Sequence, residues 1–158
     1  LHTQRRRQRQ MCIRDSHTNG HIAVWFEDSD ALFCGDTLFA LGCGRVFEGT
    51  MEQMWISLKK LRSLPSSTKI FCGHEYTLSN AKFAQSIDPQ NEALQQQIKK
   101  FESMRADGIP TIPTLLKDEL NTNPFLRADD ISFAKTLNLE ANDPVAIFAE
   151  TRSRKDNF

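Results

Sequence analysis

At Tyr76 the apolar pattern of this 158-residue chain changes from the period of a strand to that of a helix. Upstream, residues 21–27 (HIAVWFE) are apolar and β-branched, residues 31–34 (ALFC) run into Gly35-Asp36, and residues 69–72 (KIFC) run into Gly73-His74. Each reads as a short strand. Asp28-Ser29-Asp30 closes the first two into a hairpin. Between the second and third, a helix is expected over about residues 50–63. Thr50 is its N-cap, Met54, Leu58 and Leu61 recur at helical spacing, and Pro65 stops it. Downstream of Tyr76 the strand signals give way to helices near 78–86, 91–107, 131–137 and 144–155, with Pro110, Pro113 and Pro124 in the loops. The chain therefore divides into strand-helix-strand material over 17–78 and an all-helical part over 79–158. Three strands are too few to close a core alone, so further sheet is expected upstream.

Composition narrows the function classes. Hydrophobic residues make up 39% and charged residues 25%, the balance of a soluble globular protein. No apolar run approaches a membrane span, and no apolar stretch follows the arginine-rich start to make a secretory signal. The four cysteines form no C-x-x-C pair and read as reduced, mostly buried thiols, which fits the cytoplasm. The net charge of zero hides a division. Residues 1–16 carry five of the 20 basic residues and one of the 20 acids, which leaves 15 and 19, a net charge of −4, on the rest. LHTQRRRQRQMCIRDS shows neither strand nor helical periodicity and changes character at His17. It is read as a non-native or disordered start, set aside from the fold, and nucleic acid is not expected as a partner.

Chemistry-bearing residues concentrate at the strand ends. Beyond His2 the histidines are His17, His21 and His74. His17-Thr18-Asn19-Gly20-His21 precedes the first strand, Asp36 follows the second, and His74 follows the third. Ligand sites in open sheets gather at carboxyl ends of strands. Imidazoles and a carboxylate meeting there suit zinc or a similar metal. Taken singly, a buried histidine is more often a hydrogen-bonded core residue, and an aspartate after a strand is more often a turn or cap residue. The joint placement argues for a metal site.

The strings HTNGHIAVWF, ALFCGDTLFALGCGRVFEGTMEQMWISLKKL and KIFCGHEYTLSNAKFA resemble glyoxalase II, the hydroxyacylglutathione hydrolase family of the metallo-β-lactamase superfamily. They match the second half of its catalytic domain. Arg152-Ser153-Arg154-Lys155-Asp156 resembles the family's closing R-x-x-K-D, so the likeness runs from His17 to Phe158. It implies an α/β fold: the second half of a metallo-β-lactamase αββα sandwich over 17–78, then a helical glutathione-binding domain over 79–158. It also implies hydrolysis of S-D-lactoylglutathione to glutathione and D-lactate by a metal-bridging hydroxide, in methylglyoxal detoxification. Two divalent ions are implied, zinc first and iron or manganese as alternatives, in a monomeric enzyme without membrane attachment. By the same resemblance His17, Asp36 and His74 are catalytic metal ligands, with Asp36 bridging. Arg45, Phe47, His74, Tyr76, Arg152 and Lys155 line the substrate site. His21 is not a ligand in that pattern and reads as structural support. Guanidinium and ammonium groups fit the two carboxylates of glutathione.

Two departures qualify the likeness. Phe47 stands where some members have tyrosine, so a hydroxyl contact is lost. The T-H-x-H-x-D-H motif that supplies the other ligands is not in the sequence, which leaves three. The expectation is a chain inactive by itself, with an unpaired sheet edge and an uncovered core face. Other readings are a different metallo-β-lactamase-fold hydrolase, a persulfide dioxygenase with mononuclear iron, or a non-catalytic helical interaction module over 79–158. No Ser-His-Asp arrangement is present, and Cys72 reads as a packing residue.

Overall fold

The computed structural model describes residues 10–15, 21–140 and 142–158, the first of these as backbone only. His17 lies outside the described residues. The elements run β1 (Gln10–Asp15), β2 (His21–Phe26), β3 (Ala31–Gly35), β4 (Leu38–Phe39), β5 (Gly42–Cys43), α1 (Met51–Arg62), β6 (Lys69–Cys72), α2 (Thr77–Ile87), α3 (Glu92–Ala106), β7 (Thr114–Leu115), α4 (Leu116–Thr122), α5 (Ile131–Thr136) and α6 (Pro144–Asp156). A five-stranded sheet has the order β1-β2-β3-β6-β7, and β4 and β5 make a separate small hairpin.

The expected β2-turn-β3 hairpin forms, with Val24 opposite Phe33 and a short 3-10 turn at Glu27–Ser29. Asp30 ends that turn in the left-handed region, where aspartate is tolerated. The chain then crosses through α1 and returns as β6, parallel to β3. Parallel pairing needs such a crossover. Thr50 caps α1 through a capping box with Gln53, and Met54, Trp55, Leu58 and Leu61 are buried at its helical spacing. Their partners are Ala23, Leu32 and Cys34 from the sheet's inner face, Ile70, and the α6 residues Ile147 and Phe148. Trp55 and Phe148 rings lie 6.1 Å apart.

The opposite sheet face is apolar but open. Phe33 stacks on Phe71 at 4.8 Å and meets Phe26 edge-on at 5.8 Å, yet Phe33 and Ile22 are each 48% exposed. An aromatic face left in water is what a half sandwich presents.

Two expectations need correction. The stretch set aside at the start contributes β1, which pairs antiparallel with the whole of β2 from Gln10↔Phe26 to Asp15↔His21. The outer edge of β2 offers unpaired N–H and C=O groups, and backbone pairing does not require a side-chain period. The C-terminal part is helical as expected but also supplies β7, which pairs antiparallel with β6. This is a two-residue strand in a proline-punctuated extended segment, too short to leave a periodic signal. Leu116 N–H donating to Thr68 O at 2.9 Å locks α4 beside it.

Candidate metal centre and substrate pocket

Parallel pairing of β3 and β6 brings their carboxyl ends to the same sheet edge, and with them Asp36 and His74. Asp36 Oδ2 and His74 Nε2 lie 3.6 Å apart, and both side chains are partly exposed at 31% and 54%. Gly35, at φ +49°, makes the bend. A Cβ built there would sit 2.5 Å from His21 Nε2, so glycine is needed both for the backbone and for the ring packed on it. His21 supports the Asp36 loop: its Nε2 accepts from the Asp36 N–H at 3.3 Å, and its Nδ1 lies 3.2 Å from Thr37 Oγ1. In a neutral ring this leaves the proton on Nδ1, donated to the threonine. The structure thus brings together Asp36, His74 and, behind them, His21.

From Asp36 the chain turns into β4 and β5. That hairpin forms one wall of a cavity of about 400 Å³ lined by Asp36, Arg45, Phe47, Tyr76, Arg152 and Lys155, with Phe39 and Cys43 among the remaining lining residues. Every candidate substrate residue except His74 lines it, and His74 stacks on Tyr76 at 5.2 Å. Sequence separation is overcome by α6, which packs across α1 and carries Arg152 and Lys155 back to the hairpin.

The three cations are held differently. Arg152 is 3% exposed; its Nη1 donates to Cys43 O at 3.0 Å, its Nε and Nη2 donate to Asp156, and it lies over the Phe125 ring. Arg45 meets the same Asp156 oxygen at 3.3 Å from a far more exposed position. Lys155 donates to Ser79 O at 3.3 Å between the rings of Phe83 and Phe158. Burial lowers the Lys155 pKa, and the charges of Arg152 and Arg45 lower it further. The nearby Asp156 carboxylate acts in the opposite sense. Burial pushes the Cys43 thiol up to about 11 despite the pull of Arg152, and burial raises Cys72 as well. A raised pKa keeps both thiols in the protonated form at neutral pH.

Residues 75–158 match the family described as the hydroxyacylglutathione hydrolase C-terminus. This chain belongs to the hydroxyacylglutathione hydrolase family. Residues 6–74 match the metallo-β-lactamase superfamily. Proteins named hydroxyacylglutathione hydrolase from Rhodospirillum rubrum and Methylococcus capsulatus are each 56% identical over 142 residues, covering 90% of this chain and 56% of each relative. One from Hyphomonas neptunium is 54% identical over the same span. The chain spans about half the length of the curated relatives it matches. The crystal structure of ETHE1 from Myxococcus xanthus shares the fold, with TM-score 0.50 and 20% identity over 92% of this chain and 54% of that one.

Superfamily membership implies divalent metal. Among the described residues no group of three His, Cys, Asp or Glu could hold an ion. The pair that is present fits one: ligands about 2.1 Å from a tetrahedral zinc stand roughly 3.4 Å apart, close to the 3.6 Å between Asp36 Oδ2 and His74 Nε2.

Sequence reasoning missed the residues that hold the hairpin. Asn80, Glu119 and Asn123 are buried, and all donate to or accept from its backbone. A signal existed for Glu119. It follows Leu116 by three and precedes Leu120, on the apolar stripe of α4, where a carboxylate is out of place. Asp156, shared by Arg45 and Arg152, was read only as the end of a motif.

Proposed function

We propose that this chain carries the substrate pocket and part of the metal site of a hydroxyacylglutathione hydrolase, which hydrolyses 2-hydroxyacylglutathione thioesters such as S-D-lactoylglutathione to glutathione and the 2-hydroxy acid. One observation carries the reading. A single cavity is lined by the strand-end carboxylate of Asp36, which has the His74 imidazole beside it, together with the cations Arg45, Arg152 and Lys155. Glutathione presents two carboxylates remote from its sulfur, so a thioester whose carboxylates pair with these cations would have its carbonyl free to approach Asp36 and His74. The names of the relatives support the same substrate.

His17, Asp36 and His74 would hold divalent metal, zinc first and iron or manganese otherwise. When bound, such an ion supplies hydroxide at neutral pH and polarises a carbonyl. The chain's own residues do the positioning. Lys155 and Arg45 pair with substrate carboxylates. Arg152, already committed to Cys43 O and Asp156, fixes the pocket floor and the Arg45 side chain through the shared carboxylate. Tyr76 and Phe47 offer aromatic walls, and His21 holds the Asp36 loop. No helix of the described residues is long and apolar enough to cross a membrane, and the three described cysteines are free thiols, which fits a reducing compartment such as the cytoplasm.

Calorimetric titration of the chain with glutathione tests this. Saturable binding is expected, weakened about tenfold by Lys155→Ala. Arg45→Ala should cost about threefold, because its pairing is exposed and screened. Arg152→Ala is a poorer test, since it also removes a buried guanidinium and lowers stability. No saturable binding by the wild-type chain sinks the reading.

A further inference from the structure

The tip of the β4–β5 hairpin is buried inside the C-terminal helices. Ala40 and Leu41 are 1% and 0% exposed and pack with Ala81, Ala84, Leu94, Ile98 and Phe101 of α2 and α3. Leu41 holds φ +56°, a conformation that disfavours a leucine. A buried turn cannot use water for its backbone groups, so each needs a protein partner. Three side chains serve. Leu41 N–H donates to Glu119 Oε2 at 2.8 Å. The Asn123 amide donates to Phe39 O at 3.1 Å and Gly42 O at 3.0 Å, and also contacts Glu119 Oε2 at 2.9 Å. Asn80 donates to Ala40 O at 3.0 Å, so close to Gly42 that a Cβ there would lie 2.5 Å from its nitrogen.

Glu119 is the centre of this set. It is fully buried, and among the described residues no basic side chain is one of its hydrogen-bond partners. The neighbouring Thr114 hydroxyl, also buried, acts on this carboxylate as a further donor without reaching full hydrogen-bond geometry. A fold keeps such a group only where something depends on it. What depends on it here is the turn whose flanks carry Phe39, Cys43, Gly44 and Arg45, four lining residues of the cavity.

We propose that Glu119 is a positioning residue for the substrate pocket: through Leu41 N–H and Asn123 it fixes the Phe39–Gly42 turn and thereby the Phe39–Arg45 wall against which the glutathione part of the substrate lies. The inference rests on the functional reading above and adds to it a residue that touches neither substrate nor metal. Binding and turn geometry must then be linked reciprocally.

The test compares wild type, Glu119→Gln and Glu119→Leu by amide hydrogen exchange and glutathione titration. Glutamine keeps an acceptor for Leu41 and Asn123 and gains a donor for Thr114, so exchange at Leu41 and affinity should stay within about twofold of wild type. Leucine keeps the volume and loses the acceptor. Leu41 exchange should quicken and glutathione affinity fall, each about tenfold, while α3 amides hold their rates. Unchanged affinity in Glu119→Leu, or equal loss in Glu119→Gln, overturns the proposal. If the leucine variant does not fold, the wild type decides. Saturating glutathione must slow exchange at Leu41 more than in α3, and equal rates overturn the proposal. If wild type fails to bind glutathione, the functional reading falls separately. The positioning claim then stands only if Glu119→Leu loosens the Phe39–Arg45 amides and Glu119→Gln does not.

Discussion

Glu119 shows how a single side chain can tie stability to pH. Burial is the largest influence on it and raises its pKa to about 7, against the lowering effect of the Leu41, Asn123 and Thr114 donors. Asp118 on the same helix raises it further, and Cys72 on β6 is the neighbouring titratable group. The folded-state pKa lies above the unfolded value, so the proton is bound more tightly in the native state. The associated stability is fully present below about pH 4.5 and is lost as pH rises through about 7. Each pKa unit corresponds to about 1.4 kcal/mol, which makes the swing on the order of 3 kcal/mol. Glu119→Gln should remove this slope and make the protein more stable than wild type above pH 8. Denaturant melts at several pH values measure it. A wild-type slope that survives in the glutamine variant would falsify the assignment. Arg152 teaches a different lesson at the same scale. The R-x-x-K-D likeness assigns it a substrate contact; in the structure it lines the cavity while also donating to Cys43 O and Asp156.

Elements followed the sequence where a long, regular pattern existed. The bounds of α1, α2, α3 and α6 fall within about two residues of the expected ones, because each buries a stripe at helical spacing and has a definite stop. Thr50 was legible as a cap, and the structure gives it the full capping box with Gln53. Thr50→Ala should therefore cost about 1 kcal/mol, lowering Tm by roughly 2–4 °C. An unchanged melting curve would mean that α1 is held by packing alone. Besides β1, the elements that escaped notice are short: β4, β5, β7 and α4. Two-residue strands have no period, and they exist because neighbouring backbone groups supply their hydrogen bonds. Of these, β4 and β5 contribute Phe39 and Cys43 to the pocket and α4 holds their turn through Glu119, so part of the pocket was harder to read than the frame around it.

At the scale of the molecule, the sequence contains three of the ligands that the family resemblance assigns, and His17 among them lies outside the described residues. One carboxylate and one imidazole cannot hold two ions in fixed geometry. Dialysed against zinc, the 158-residue chain should retain fewer than two ions and should not turn over S-D-lactoylglutathione. Joined to the first half of the R. rubrum relative, which is 56% identical over the shared span, it should gain both properties. Two tightly held ions with turnover in the chain alone would refute this. The open aromatic face of Phe26, Phe33 and Phe71 should be covered in the same joined protein, lowering its exposure to hydrophobic dyes.

Local chemistry was enough to read the strand-helix-strand order, the change to helices at Tyr76, and the placing of Asp36 and His74 after strands. Those features depend on residues close together in the chain. It could not reveal which strand ends would be neighbours. That followed from the parallel register of β3 and β6, which a crossover of more than thirty residues makes possible. Nor could it reveal that Glu119 and Asn123 would meet a turn some eighty residues away. A buried carboxylate and a left-handed leucine are each unfavourable alone. They become compatible only when the tertiary structure excludes water from both and leaves each as the other's hydrogen-bond partner.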